Sequence, residues 1–295
     1  MNTAKIILST TALLISATMA FASPQSTAQP APQSTAQPAK QADLPNAPAP
    51  AGNAAPNSAK KSPQPKTQAE YDAFKAASAQ TDAAKLELAA TDFAQKFPAS
   101  ELRAYLFQQA MGQYQVINRQ DKALEMARAV LKYEPGNSVA LLTAAQILAE
   151  RTHDNDLDRE DRLAEANADA RSALDNAGEI PRPANMTPEQ FAAAMAQLRG
   201  TAHEVIATVA FKKLDYFTAV KEYNAAVNEE KEHTDAVVWL RLAVANDKSG
   251  DINTAVQSVN KAIAASEHGS QIRQLADQEK SRLLKLSTSA SPETK

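Results

Sequence analysis

Two stretches of this chain carry the same apolar spacing 36 residues apart, and few folds accommodate that. His203, Ile206 and Ala207 lead on to Ala219, Tyr223 and Ala226; Trp239, Leu242 and Ala243 lead, past Gly250, to Ala255, Val259 and Ala262. Steps of three, four and one keep each group on one face of an α-helix. A helix pair of this size cannot bury its apolar face alone, so repeated pairs must stack on one another. The composition supports helix: apolar residues make up 44%, mostly alanine, aromatics 5%, and there are only 7 Gly. Alanine is the best helix former and glycine among the worst, whereas a β-protein draws more on β-branched and aromatic residues.

Looser copies precede these two. Phe107, Ala110, Tyr114, Ala123 and Pro135 keep the register of another unit, with Ala127 and Val130 at two of its packing positions. An earlier unit ends in Phe97-Pro98-Ala99-Ser100 after Ala90 and Phe93. A further one opens with Leu141, Ala144 and Ala145 and closes with Ala166, Ala170 and Ala173, around an acidic insertion. Boundaries are marked as well. Asn137-Ser138 after Pro135-Gly136 predicts a helix start, and Thr187-Pro188-Glu189-Gln190 predicts a capping box with proline at the first helical position. Ser249-Gly250-Asp251 predicts a tight turn, and Gly178 and Gly269 predict helix C-caps.

This pattern resembles the tetratricopeptide repeat, a helix–turn–helix unit of about 34 residues. The resemblance spans nearly all of residues 67–269. It implies an all-α, right-handed superhelical solenoid of about five helix pairs plus a C-terminal capping helix. The repeat domain is expected at 67–286, with units near 67–101, 102–137, 138–178, 187–233 and 234–269 and the capping helix at 270–286. The family's members are scaffolds, which implies no enzyme and no cofactor, and a protein or peptide partner held in the concave groove lined by the first helix of each pair. Carried over by register, the groove residues are Tyr105, Gln108, Gln115, Gln146, Glu150, Glu204, Phe211 and Lys212. The Lys- and Asn-rich clamp with which some members hold carboxylate-ended peptides has no counterpart here. Trp239 and the aromatic group Phe211, Tyr216, Phe217 and Tyr223 match the family's packing positions and are expected in the core rather than in a ligand box. Monomer and homodimer both stay open, with the capping helix the element to pair.

Ahead of the repeats, Lys5, the apolar run over 6–15 and Ala20-Phe21-Ala22 have the layout of a signal peptide over 1–22, cleaved after Ala22. The run is short for a membrane span, which needs about 20 residues, though an uncleaved anchor is the alternative. The expected location is periplasmic or secreted, without stable membrane insertion after cleavage, and envelope assembly is the setting that goes with it. Residues 23–66 hold 10 of the 16 prolines and no aromatic residue, and QSTAQPA recurs from Gln25 and from Gln33. Such a segment buries too little to offset its conformational entropy. It is expected to be a disordered spacer, either a tether or an inert leader, and 287–295 a disordered tail. The chain has no Cys, which removes disulfides and thiolate chemistry, and its net charge of −3 lacks the basic surplus of a nucleic-acid binder.

Four groups invite a chemical reading. Asp154, Asp156, Asp158 and Glu165 fall at positions 1, 3, 5 and 12 of an EF-hand loop, which makes a calcium- or ligand-modulated binding protein, using the insertion 153–165, the alternative function. Arg159 stands where the sharp turn needs glycine and Asp161 where an apolar residue ties the loop down, so local carboxylate–arginine pairing is the simpler expectation. His203-Glu204 opens like a zinc-protease helix, but the second histidine would be residue 207, which is Ala207. His153, His233 and His268 fall near helix ends or loops, and the glycines form neither a phosphate loop nor a nucleophile elbow.

Overall fold

The computed structural model describes residues 63–289; the expected signal peptide, the linker up to residue 62 and the tail beyond 289 lie outside the described residues. Among the described residues the secondary structure is helical. The helices are α1 (Gln68–Ser78), α2 (Ala83–Lys96), α3 (Leu102–Val116), α4 (Gln120–Tyr133), α5 (Ser138–Arg151), α6 (Arg159–Asn176), α7 (Pro188–Lys212), α8 (Tyr216–Glu230), α9 (Ala236–Lys248), α10 (Ile252–Ala265) and α11 (Gln271–Ser289). They form five pairs and a terminal helix, each packed chiefly on its neighbours in sequence. This is the all-helical stack that the repeat spacing predicts. The terminal helix runs on to Ser289, past 286.

The caps explain where helices start. Asn137 accepts from the Ala140 amide at 3.0 Å, and Asp251 accepts from the Thr254 amide at 3.0 Å. Thr187 and Gln190 form the reciprocal capping box, with Pro188 first in α7. Three turns inside pairs close alike. The amides of Arg119, Asp215 and Asp251 reach back to the carbonyls of Tyr114, Ala210 and Asn246 at 2.8, 2.9 and 2.9 Å. Each closure puts one residue in the left-handed region: Asn118, Leu214 and Gly250. Glycine and asparagine take that conformation readily, whereas leucine loses about 1 kcal/mol there. Leu214→Asn is therefore expected to stabilise the protein by roughly 0.5–1 kcal/mol, read as a raised urea midpoint at unchanged slope. Gly269 is left-handed as expected, but Gly178 is not: it sits in a short 3-10 turn over Ala177–Glu179 that continues α6.

The small residues of the repeat pattern face inward. Ala123, Ala127 and Val130 on α4, Ala166, Ala170 and Ala173 on α6, and Ala255, Val259 and Ala262 on α10 are fully buried. Short side chains at these spacings let paired helices approach closely. Tyr223 is buried and Trp239 half-buried, while Phe217 is 82% exposed, a correction to its expected core position. It lies in the first turn of α8, ahead of the buried face that Ala219, Tyr223 and Ala226 make.

One unit departs from the rest. Its first helix, α7, has 25 residues, against 11 to 15 in the other first helices. The backbones of successive first helices also approach one another unevenly: α1 with α3, α5 with α7 and α9 with α11 come close, whereas α3 with α5 and α7 with α9 do not, although α7 and α9 share a core through their side chains.

Candidate functional site

Helix α9 is apolar from Ala236 to Ala245 except for Arg241. A guanidinium on such a helix must be answered by carboxylates once it is buried. Its side chain is 17% exposed, and Glu204 of α7 and Glu150 of α5 reach it at 3.7 and 3.9 Å. Those distances exceed a hydrogen bond. Burial therefore prevails for Glu204: it pushes the carboxyl up to about 7, although Arg241 pulls the other way and Glu230, Asp235 and Glu150 add repulsion. Burial likewise raises Glu150, against Arg241 and Lys212.

Glu230, the last residue of α8, joins this group because of Gly200. A Cβ on Gly200 would stand 2.6 Å from the Glu230 carboxyl oxygen, so the Glu230 side chain lies against α7 in space that a larger residue at 200 would push it out of. Residues 200 and 204 are one turn apart and share a face. The Glu230 carboxyl is pushed up to about 7 by burial and by Asp235. A cavity of about 980 Å³ opens between α7 and α9. Gln146 of α5, Gln197, Thr201 and Glu204 of α7, Glu230, and Arg241 of α9 line it, and Ala193, Ala194, Ala196 and Val238 give it an apolar wall.

No protein-family model matches the chain, and no curated protein matches it. Among solved structures, the crystal structure of a tetratricopeptide repeat protein from Parabacteroides merdae is similar at a TM-score of 0.35 and 14% identity, over 77% of this chain and 95% of that one. So distant a likeness adds nothing to the fold, which rests on the helix packing itself.

Of the eight groove residues expected by register, Gln146, Glu150 and Glu204 come together here. Lys212 lies beside them in a supporting role. Its ammonium donates to the carbonyls of Ala149, Glu150 and Thr152 at 2.6, 3.3 and 2.6 Å, closing the end of α5 from a helix far along the chain. Burial lowers its pKa, and Glu150 opposes that. Lys212→Met keeps the stem and removes the donors; a loss of about 2 kcal/mol is expected in urea unfolding. The remaining four lie elsewhere. Tyr105 packs on Phe74 with ring centroids 5.6 Å apart, Gln108 accepts from Asn137 at 3.1 Å, Gln115 donates to Thr143 at 3.4 Å, and Phe211 packs edge-on against Tyr216 at 5.3 Å.

The acidic insertion is laced into the fold by arginines. Asp154 pairs with Arg159 at 3.6 Å, Asp156 and Asp158 with Arg162 at 3.4 and 3.8 Å, and Glu165 with Arg128 of α4 at 2.9 Å. Arg159 also donates to the carbonyl of Lys212. Among the described residues no three His, Asp or Glu side chains converge as a metal site would require. His203 instead bonds the buried Glu222 of α8 through Nδ1 at 2.7 Å, joining the two helices of its pair.

Arg241, Gly200 and Glu230 are the residues that register missed. Arg241 was visible in principle as a lone cation in an apolar helical run. Gly200 and Glu230 were not, because the contact between them closes only in three dimensions.

Proposed function

We propose that this chain is an exported scaffold that holds a protein or peptide partner, in the manner of tetratricopeptide stacks, with a role in cell-envelope assembly. The observation that carries this reading is the cavity between α7 and α9, where first helices present polar side chains around a buried arginine. Pockets of that size with a few converging polar groups are the usual places for ligands. A first helix in each pair, with short connections, gives a surface formed before binding, so the partner meets it with little rearrangement. The signal-peptide layout of residues 1–22 supports export, and among the described residues no helix is long and apolar enough to cross a membrane.

The test is affinity capture from envelope extract with the full chain and with a Gln197→Trp variant, which fills the cavity with bulk and leaves the charge unchanged. A partner retained by the first and lost by the second, with matching circular dichroism, supports the reading. Equal capture by both would place the working surface elsewhere.

A further inference from the structure

Several carboxylates gather beside α7 around one buried cation. Glu204 and Glu230 share one face of that helix, Asp235 bears on both, and Glu150 shares Arg241 with Glu204. Two neighbouring cations are committed elsewhere. Lys212 serves the carbonyls of α5, and Arg199 holds Glu229 at 2.8 Å. Lys231 and His233, on the exposed segment ahead of α9, line the cavity as well. Among the described residues no hydrogen-bond donor reaches the carboxyl of Glu204 or of Glu230. The cavity thus faces its contents with more acidic than basic side chains, beside a run of alanines on α7. Long cationic side chains fit both features, because their methylene stems lie along apolar surface while the charged head stays with carboxylates.

Resting on the groove reading above, we propose that the cavity takes a lysine or arginine side chain of an extended partner peptide, with its cation between Glu204 and Glu230 and its stem along the alanines of α7. A volume of about 980 Å³ exceeds what one side chain fills and leaves room for the flanking residues. Both carboxyls sit near 7 without a ligand. A cation between them favours their ionised forms, so binding below pH 7 must release protons and affinity falls as pH falls. Glu229, Asp235, Arg241, Lys231 and His233 line the same cavity, Glu150 meets Arg241 behind it, and all of them stay unchanged in the double variant below.

The experiment pans a random dodecapeptide display library on the full chain at pH 8 and sequences the binders that Gln197→Trp loses. Enrichment in Lys or Arg is expected among them. Synthetic copies of those peptides should weaken at least tenfold on Glu204→Gln/Glu230→Gln, whose neutral side chains keep the shape, and at least tenfold at pH 5.5. Replacing the cation by norleucine should cost as much. Cavity binders without a cation, or binding unchanged by the double variant, would overturn the inference and leave the groove reading standing. Failure to find any binder that Gln197→Trp loses would remove both.

Discussion

Replacing Glu204 by glutamine is expected to stabilise the protein by roughly 3 kcal/mol at pH 8.5 and to change little at pH 4. The folded protein ionises this carboxyl near 7, against an ordinary value of 4.5, chiefly because burial penalises the charge. A carboxyl raised in this way binds its proton more tightly in the folded chain than in the unfolded one. Its favourable share of the stability is full below about 4.5 and is lost as pH rises through about 7. Glutamine mimics the protonated form at every pH, so the variant keeps what the native protein loses. Glu230 has the same sign, but it is more open to water and screening reduces its share. Surface carboxyls such as Asp121, Asp215 and Asp251, lowered mainly by their hydrogen bonds, run the opposite way in both proteins and cancel in the comparison. Urea unfolding of the two proteins across pH 4–8.5 measures the difference. Parallel pH profiles would show that Arg241 already compensates Glu204 in full.

Phe93→Ala is expected to cost about 3–5 kcal/mol, and to cost it locally. The ring is 2% exposed and packs on Phe74 and Phe97 with centroids 6.2 and 5.0 Å away, inside the core formed by α1 to α5. In a stack where each pair touches only its neighbours, stability is close to a sum of local terms. Amide exchange should therefore accelerate in α1 and α2 and stay slow in α9 and α10. Uniform acceleration along the chain would mean that the cores open together.

The fold was legible because its evidence is repetitive. Ala219, Tyr223 and Ala226 recur as Ala255, Val259 and Ala262, and each of these positions is buried. Caps at Asn137, Thr187 and Asp251 were equally readable, since a cap is settled within a few residues. The site was legible only in part. Register pointed to Gln146, Glu150 and Glu204, which the structure gathers near Arg241, but it gave Gln108 and Gln115 the same standing, and these are taken up by Asn137, the cap of α5, and by Thr143 within α5. Arg241 takes the register position of Val205, so repetition pointed away from it. Sites live where a repeat breaks its own rule, which comparison among units tends to average out. The length of α7 is another such break.

That helix has a mechanical meaning. Val205, Ile206 and Val209 belong to the core shared with α5 and α6, while Ala207 and Ala210 belong to the core shared with α8 and α9. One rod of about 37 Å is thus the common wall of two chambers. Tension applied to the ends of the chain would peel pairs inward from each side and arrive at α7 from both. A partner seated against that wall would act as a wedge, adding resistance at the point where the two peeling fronts meet.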